Sequence, residues 1–363
     1  MSSASLDKKT DRIIYFDYLR VFATLALIFV HTAAQNWHTA DVTGFAWNVF
    51  NVFDSIGRWC VPVFVMISGC IFLSRDIPIK KLYSKNILRM VISFIVWSLV
   101  YAVFVEGAAE KLMAAILGHY HMWFILMIIG LYMCLPFIKP IVATDSNTKY
   151  FLLLSFIFVF LLPELKNLAL DFGQVFFNTL PEGGTLADKF IVAINKIYDN
   201  IATINVHTVL GFTGFFVLGY YINKTELSKK QRAGIYILGI LGFIFTIIVT
   251  AFISIKTQSL NQNYYEVLTV NILFNGIAIF TWFKYRSYPH LKLNRFVKKL
   301  SDYSFGVYLV HALVLEQLER FGLNTLSFNP LLAVICIGSL VTVISFAISA
   351  CLHKIPIVNK WLV

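Results

Sequence analysis

The feature that most constrains this chain is a succession of apolar stretches of about 18 or more residues, repeated from one end to the other. Ten spans can be drawn, most of them of that length, near residues 13–34, 45–73, 87–105, 122–142, 150–163, 206–222, 233–255, 265–283, 303–319 and 328–352. With 58% hydrophobic and 13% charged residues, a water-soluble fold would leave far too much apolar surface exposed. In hydrocarbon every backbone polar group must be satisfied within its own segment, and ten-residue alternating strands are absent. The expected fold class is therefore all-α integral membrane, a bundle of about ten transmembrane helices forming a single domain over residues 1–363. The second stretch is too long for one span and is expected to hold a short outer segment before a span starting near Ser55. The fifth is short and is expected to end at Pro163.

Orientation follows from the cations. With a cytoplasmic N-terminus, 23 of the 30 lysines and arginines fall on the inner side. The outer side keeps only Arg58, Lys111, Lys166, Lys189, Lys196, Lys256 and Arg320. This bias predicts an even number of spans with both termini cytoplasmic, and it explains the net charge of +11 without nucleic acid. Ala33-Ala34 could mimic a signal-peptide cleavage site. The apolar run before it is too long, contains His31 and precedes nine more spans, so it counts as span one. The longest outer segment, 164–205, carries Gly173, Pro181, Gly183 and Gly184. It reads either as a lid or acceptor-binding loop or as a tolerated insertion. No internal repeat is visible, which weakens a transporter of duplicated halves. The five cysteines lie in or beside apolar runs without a CxxC pair or metal-ligand spacing, so they are read as core, and no metal is expected.

Against this background the polar residues inside spans stand out. Span one contains Asp17, Arg20 and His31. Arg20 and His31 are eleven residues apart, about 20° past three full helical turns, so they share a face about 16 Å apart along the axis. Asp17 lies within about 40° of the same direction. Such a stripe belongs against the bundle interior or a wet cavity; the plain alternative is that Arg20 snorkels and His31 bonds a neighbouring helix. Arg58 lies in span two, ahead of Pro62 and of Ser68-Gly69, where backbones can approach closely. The basic run Lys80, Lys81, Lys85 leads into span three and ends at Arg89. Arg20 and Arg89 at one level suit a phosphate-rich ligand, since guanidinium binds phosphate through paired hydrogen bonds. The lysines alone would serve topology or anionic lipid. Span four opens with His119, His121 and Trp123. On a helix, residues two apart diverge, which argues against a metal pair, and Trp123 reads as a belt anchor or a sugar platform. Span nine carries Tyr308, His311 and Glu316, either a functional group or a satisfied core pair.

At these residues the chain resembles the membrane acyltransferase-3 family. "DYLRVFATLALIFVH" reproduces its first-helix Arg-x10-His spacing. "VPVFVMISGC" is similar to its Ser-Gly-Phe element, "MWFILMIIGLY" to its Trp-Phe element and "SDYSFGVYLVH" to its late Ser-Tyr-Gly-Tyr-His element. The order and spacing cover nearly the whole chain. Two departures are Cys70 in place of Phe, and Asn86 where an arginine three residues before Arg89 is usual. Within the family, the short ten-span form most resembles surface-polysaccharide O-acyltransferases, those acting on the enterobacterial common antigen included.

The resemblance implies a multi-pass protein of the bacterial cytoplasmic membrane. Acyl-CoA, with acetyl-CoA expected, serves as co-substrate, and no cofactor is permanently bound. The acceptor is a surface glycan or its lipid-linked precursor, and the lipid bilayer is a partner. Arg20, Arg89, Lys85 and Ser68 are then expected to contact acyl-CoA, and His31 to be catalytic. Arg58, His121, Trp123, Tyr308, His311 and Glu316 are candidates for acceptor or oxyanion contacts. His31 as a general base and a covalent acyl-His route both remain open. No GxSxG elbow points to a serine nucleophile. A polysaccharide or lipid-linked sugar transporter, a succinyl transferase and an inactive sensory subunit are the alternatives.

Overall fold

The computed structural model describes residues 12–105, 111–178, 184–202 and 206–363, and these contain helices and no strand. Eight helical stretches are long and apolar enough to cross a membrane. The helices Val206–Lys224 and Leu291–Arg320 occupy the two remaining predicted spans. The second is 30 residues long because its charged first third, from Lys292 to Asp302, continues the same helix beyond the apolar run.

The first helix, α1 (Ile14–Ala34), is central and packs against α2 (Phe45–Gly57), α3 (Cys60–Leu73), and the late helices Leu291–Arg320 and Pro330–Leu352. The long second stretch breaks at Arg58-Trp59, and α3 begins at Cys60, five residues after the expected start at Ser55. Pro62 is the cause: it has no N–H for the Arg58 carbonyl, and its ring crowds the turn before it. α4 (Leu88–Phe104) follows a π-helical turn at Leu82–Ile87. α5 (Trp123–Met133) stops ahead of Pro136.

One expectation is corrected at Pro163. The helix does not end there. α6 (Asp145–Ser155) passes through a π-helical turn, Phe156–Leu161, into α7 (Leu162–Phe177). The wider π turn absorbs the missing proline hydrogen bond. Most of the segment read as a 164–205 loop is thus helical: the end of α7 and then α8 (Leu186–Ala202). The remaining helices are α9 (Val206–Lys224), α10 (Lys229–Thr257), α11 (Val270–Lys284), α12 (Leu291–Arg320) and α13 (Pro330–Leu352).

α10 shows an inversion expected of a lipid-facing helix. Its exposed residues are Ile237, Ile240, Leu241, Ile244 and Ile248, while Gly239, Gly242, Thr246 and Thr250 are buried. Small and hydroxyl side chains make the interhelical contact, and the apolar ones face outward. Close approach is also demanded between α3 and α9. A Cβ on Gly69 would lie 1.8 Å from the Phe216 carbonyl oxygen, and one on Gly219 would lie 2.3 Å from that of Met66.

Polar contacts sort the connections into two ends. At one end Arg12 bridges Asp17 (2.6 Å) and Asp302 (2.8 Å), and Lys224 meets Asp145 (3.3 Å). There Lys139 donates to Asp76 (2.8 Å) and holds that carboxyl below its usual range. Glu226 is likewise lowered, chiefly by the Tyr285 hydroxyl and then by Lys284. At the other end Asn36 donates to Thr325 (2.9 Å), and Asp171 accepts from Asn261, Asn263 and Tyr264. Each contact joins segments that the cation bias assigns to one side. Lys8 and Lys9 lie outside the described residues.

Candidate active site

The polar stripe of α1 lines two cavities in series. The larger, ≈ 360 Å³, reaches toward the end that carries Arg12 and is bordered by Arg20, Ser68, Arg89, Tyr132, Asp302 and Ser304. The smaller, ≈ 100 Å³, is bordered by His31, Arg58, Cys60, His121, Trp123 and Val267. Phe64, Phe124 and Tyr308 line both and form the neck between them. These rings come from α3, α5 and α12, with centroids 6.0 Å apart for Phe64–Phe124 and 5.8 Å for Phe124–Tyr308. Arg20 and His31 therefore mark two depths of one interrupted passage, as their helical phase requires.

In the larger cavity two guanidinium groups converge. Arg20 is 4.0 Å from Asp17, whose carboxylate is held more closely by Arg12. Arg89 donates through Nη2 to the Val363 carbonyl and lies 5.8 Å from the centre of the Phe305 ring. Its buried Nε has no hydrogen-bond partner among the described residues. Ser68 lines the cavity, its hydroxyl donating to the Phe64 carbonyl (2.9 Å). Lys85 does not line it; this side chain is exposed on the π turn ahead of α4. A cavity with two cations and hydroxyl groups suits a phosphate-bearing ligand.

The histidine arrangement in the smaller cavity fixes its own tautomers. His311 Nδ1 is 2.7 Å from the Tyr308 carbonyl oxygen, an acceptor, so Nδ1 carries the proton. In a neutral ring His311 Nε2 is then an acceptor, and the atom 2.8 Å from it is His31 Nδ1, which must donate. His31 Nε2 is left with a bare lone pair. This is the state that a general base needs, and it follows from hydrogen bonds that end on a backbone carbonyl.

Arg58 is pinned by Asp54 through two hydrogen bonds of 2.6 Å, from Nε and Nη2, and lies over the Tyr265 ring. Its Nη1 hydrogens are outside this fork. The Tyr308 hydroxyl donates to the His121 carbonyl (2.8 Å), so its hydrogen is already committed and the residue acts by position. Trp123 lines the cavity while 42% exposed. Glu316 does not line it; its carboxylate is 3.8 Å from His119 Nε2.

The reading of His119 and His121 as divergent is corrected. They are not on one regular helix. Gly118 has φ +79°, in the left-handed region that favours glycine, His119 is extended, and a tight 3-10 turn covers Tyr120–Met122. The two rings meet instead, with Nδ1 atoms 3.1 Å apart. Sequence reasoning also missed the neck residues Phe64 and Phe124 and the Arg58 partner Asp54. Only Asp54 carried a signal, its four-residue spacing from Arg58 on a helix.

A family model described as an acyltransferase domain, that of the acyltransferase-3 family, matches residues 13–350. Neither a curated protein nor a solved structure matches the chain.

Proposed function

The chain belongs to the acyltransferase-3 family, and from that premise we propose that this acyltransferase carries an acetyl group across a bacterial cytoplasmic membrane. The donor is cytoplasmic acetyl-CoA, and the acceptor is a hydroxyl of a surface glycan or its lipid-linked precursor. The observation that carries this reading is the pair of cavities sharing one neck, with Arg20 and Arg89 on one side and the bare His31 Nε2 on the other. The phosphates of CoA would lie with the arginines and its pantetheine arm would pass the neck, bringing the thioester to His31.

In the proposed reaction His31 Nε2 takes the proton of the acceptor hydroxyl as its oxygen bonds to the thioester carbonyl carbon. The carbonyl oxygen takes the negative charge, and the Nη1 hydrogens of Arg58, which lines the cavity, are the donors assigned to it. Collapse breaks the C–S bond, and the departing thiolate receives the proton from His31, giving the ester and free CoA. During the step His31 is an imidazolium whose Nδ1–H points at His311 Nε2, and the relay to the Tyr308 carbonyl steadies that charge. The small volume favours acetyl over longer chains. Arg58 is paired with Asp54 and its remaining Nη1 hydrogens are assigned to the oxyanion, so no cation lining this cavity is left for the free carboxylate of a succinyl group. The aromatic neck supports the enzyme reading over a sugar transporter, because it suits a thin pantetheine chain better than a saccharide.

The test uses purified protein in liposomes, with labelled acetyl-CoA on one side and glycan on the other. Wild type should label the glycan, and His31→Ala should lose transfer by about 10²- to 10⁴-fold or more. Equal labelling by the variant would refute the catalytic assignment.

A further inference from the structure

His121 lines the reaction cavity beside His31 and carries a buried nitrogen, Nε2, without a hydrogen-bond partner among the described residues. The residue is 3% exposed. A buried polar atom without a partner loses its hydration with nothing in return, so it persists where a ligand supplies the partner. The surrounding structure holds this ring firmly. Its carbonyl accepts from the Tyr308 hydroxyl (2.8 Å), its Nδ1 meets His119 Nδ1 (3.1 Å), and the Tyr101 ring stacks on His119 behind it, 4.4 Å between centroids.

The chemistry of the nitrogen follows from the same partners. The Glu316 carboxylate is 3.8 Å from His119 Nε2, and its charge favours the proton on that nitrogen. In a neutral His119 the Nδ1 is then an acceptor, so His121 Nδ1 donates to it and His121 Nε2 is bare. Two imidazoles that line one small cavity, His31 and His121, thus each carry a lone pair on Nε2, with ring centroids 6.4 Å apart. A single hydroxyl has one hydrogen and satisfies only one of them. At that ring separation, hydrogen bonds of about 2.8 Å to each nitrogen can be made by oxygens on adjacent carbons of one sugar ring.

We propose that His121 Nε2 accepts a hydrogen bond from the hydroxyl next to the one that His31 deprotonates, so that the enzyme selects a vicinal diol. This rests on the acyl-transfer reading above and adds the acceptor class: a sugar bearing two adjacent free hydroxyls, of which one is acylated and the other only bound. A site built to hydrogen-bond a hydroxyl discriminates strongly against the analogue lacking it, because its own polar atom is left unpaired.

The test measures acetyl transfer from acetyl-CoA to methyl glycosides of glucose, galactose and N-acetylglucosamine and to their monodeoxy counterparts. Purified wild type, His121→Leu and His121→Gln are compared. For wild type, removing the hydroxyl next to the acylated one should lower kcat/KM by about 10²-fold or more. His121→Leu should bring the ratio of diol to deoxy acceptor close to one, and His121→Gln should leave it intermediate. The ratio is taken within each variant, so a general loss of activity cancels. If His121→Leu fails to fold, the His121→Gln ratio decides, and a wild-type ratio there overturns the proposal. Equal transfer by wild type to diol and deoxy acceptors overturns the diol assignment and leaves acyl transfer standing. No transfer to any glycoside overturns the acceptor reading on which it rests.

Discussion

Replacing His311 isolates the part of the site that sets the tautomer of the base. His311 is fully buried and is absent from the lining of the arginine cavity, so its loss should leave donor binding intact. It contacts His31 through one hydrogen bond of 2.8 Å, which becomes a bond to a cation when His31 holds the acceptor proton. Hydrogen bonds to charged groups contribute about 1.5–3 kcal/mol. At about 1.4 kcal/mol per decade of rate, His311→Ala should lower kcat by about 10- to 150-fold with little change in KM for acetyl-CoA. His311→Gln can still accept from His31 Nδ1–H through its amide oxygen and should recover part of the loss. The relay has no role without the base, so His311→Ala should add almost nothing in a protein already carrying His31→Ala. The assay is steady-state transfer by the four proteins, with thermal unfolding as the control for folding. Fully additive losses, or a His311→Ala effect confined to KM for acetyl-CoA, would refute the relay.

Four further outcomes are expected. Arg89→Ala should weaken binding of acetyl-CoA about tenfold or more and leave binding of S-acetyl-pantetheine, which lacks phosphate, nearly unchanged in calorimetry. Asp54→Ala strands Arg58 beside the cavity and should destabilise the protein by about 3 kcal/mol, measured as a lower unfolding midpoint in detergent. Gly69→Ala drives a methyl to 1.8 Å from the Phe216 carbonyl, so α3 and α9 must separate; a loss of about 1–3 kcal/mol or more is expected in the same measurement. Tyr308→Phe keeps the neck ring and the carbonyl that anchors His311 but frees the backbone of His121. It should lower kcat/KM for the glycan about 2- to 10-fold, with donor binding unaffected in a CoA titration.

What the sequence disclosed about this molecule is what hydrocarbon makes costly. Arg20 and His31 could be placed on one face because polar residues in a spanning helix need a reason, and helical phase is simple arithmetic. The spans themselves were legible for the same reason. What escaped was set by local backbone geometry or by meetings of distant segments. Pro163 reads as a helix end unless the preceding π turn is known. His119 and His121 read as divergent unless Gly118 is left-handed. Phe64 and Phe124 are two of 34 phenylalanines, and nothing in their neighbourhoods marks them as a neck. The pairing of His31 with His311 spans 280 residues, and the late motif could name His311 without showing which nitrogen it would face. Lys85 is expected at the donor site from the resemblance, as the cation beside Asn86. The π turn leaves it exposed and away from the cavity lining.

Tyr308 ties these parts together. On the proposed reading the enzyme takes one substrate from each face of a membrane, and it must expose its base to both without leaving a wet channel when empty. The ring of Tyr308 helps close the neck, its carbonyl fixes the proton on His311 and so the lone pair on His31, and its hydroxyl anchors the backbone of His121. Barrier, base and second imidazole are therefore held by one residue on α12. Phe64 and Phe124 complete the neck, and their rings make no hydrogen bonds that turning would break. On the proposed reading, a pantetheine arm that turns these two phenyl rings breaks none of the hydrogen bonds that hold the histidines, so opening the passage to the donor does not disarm the site it must reach.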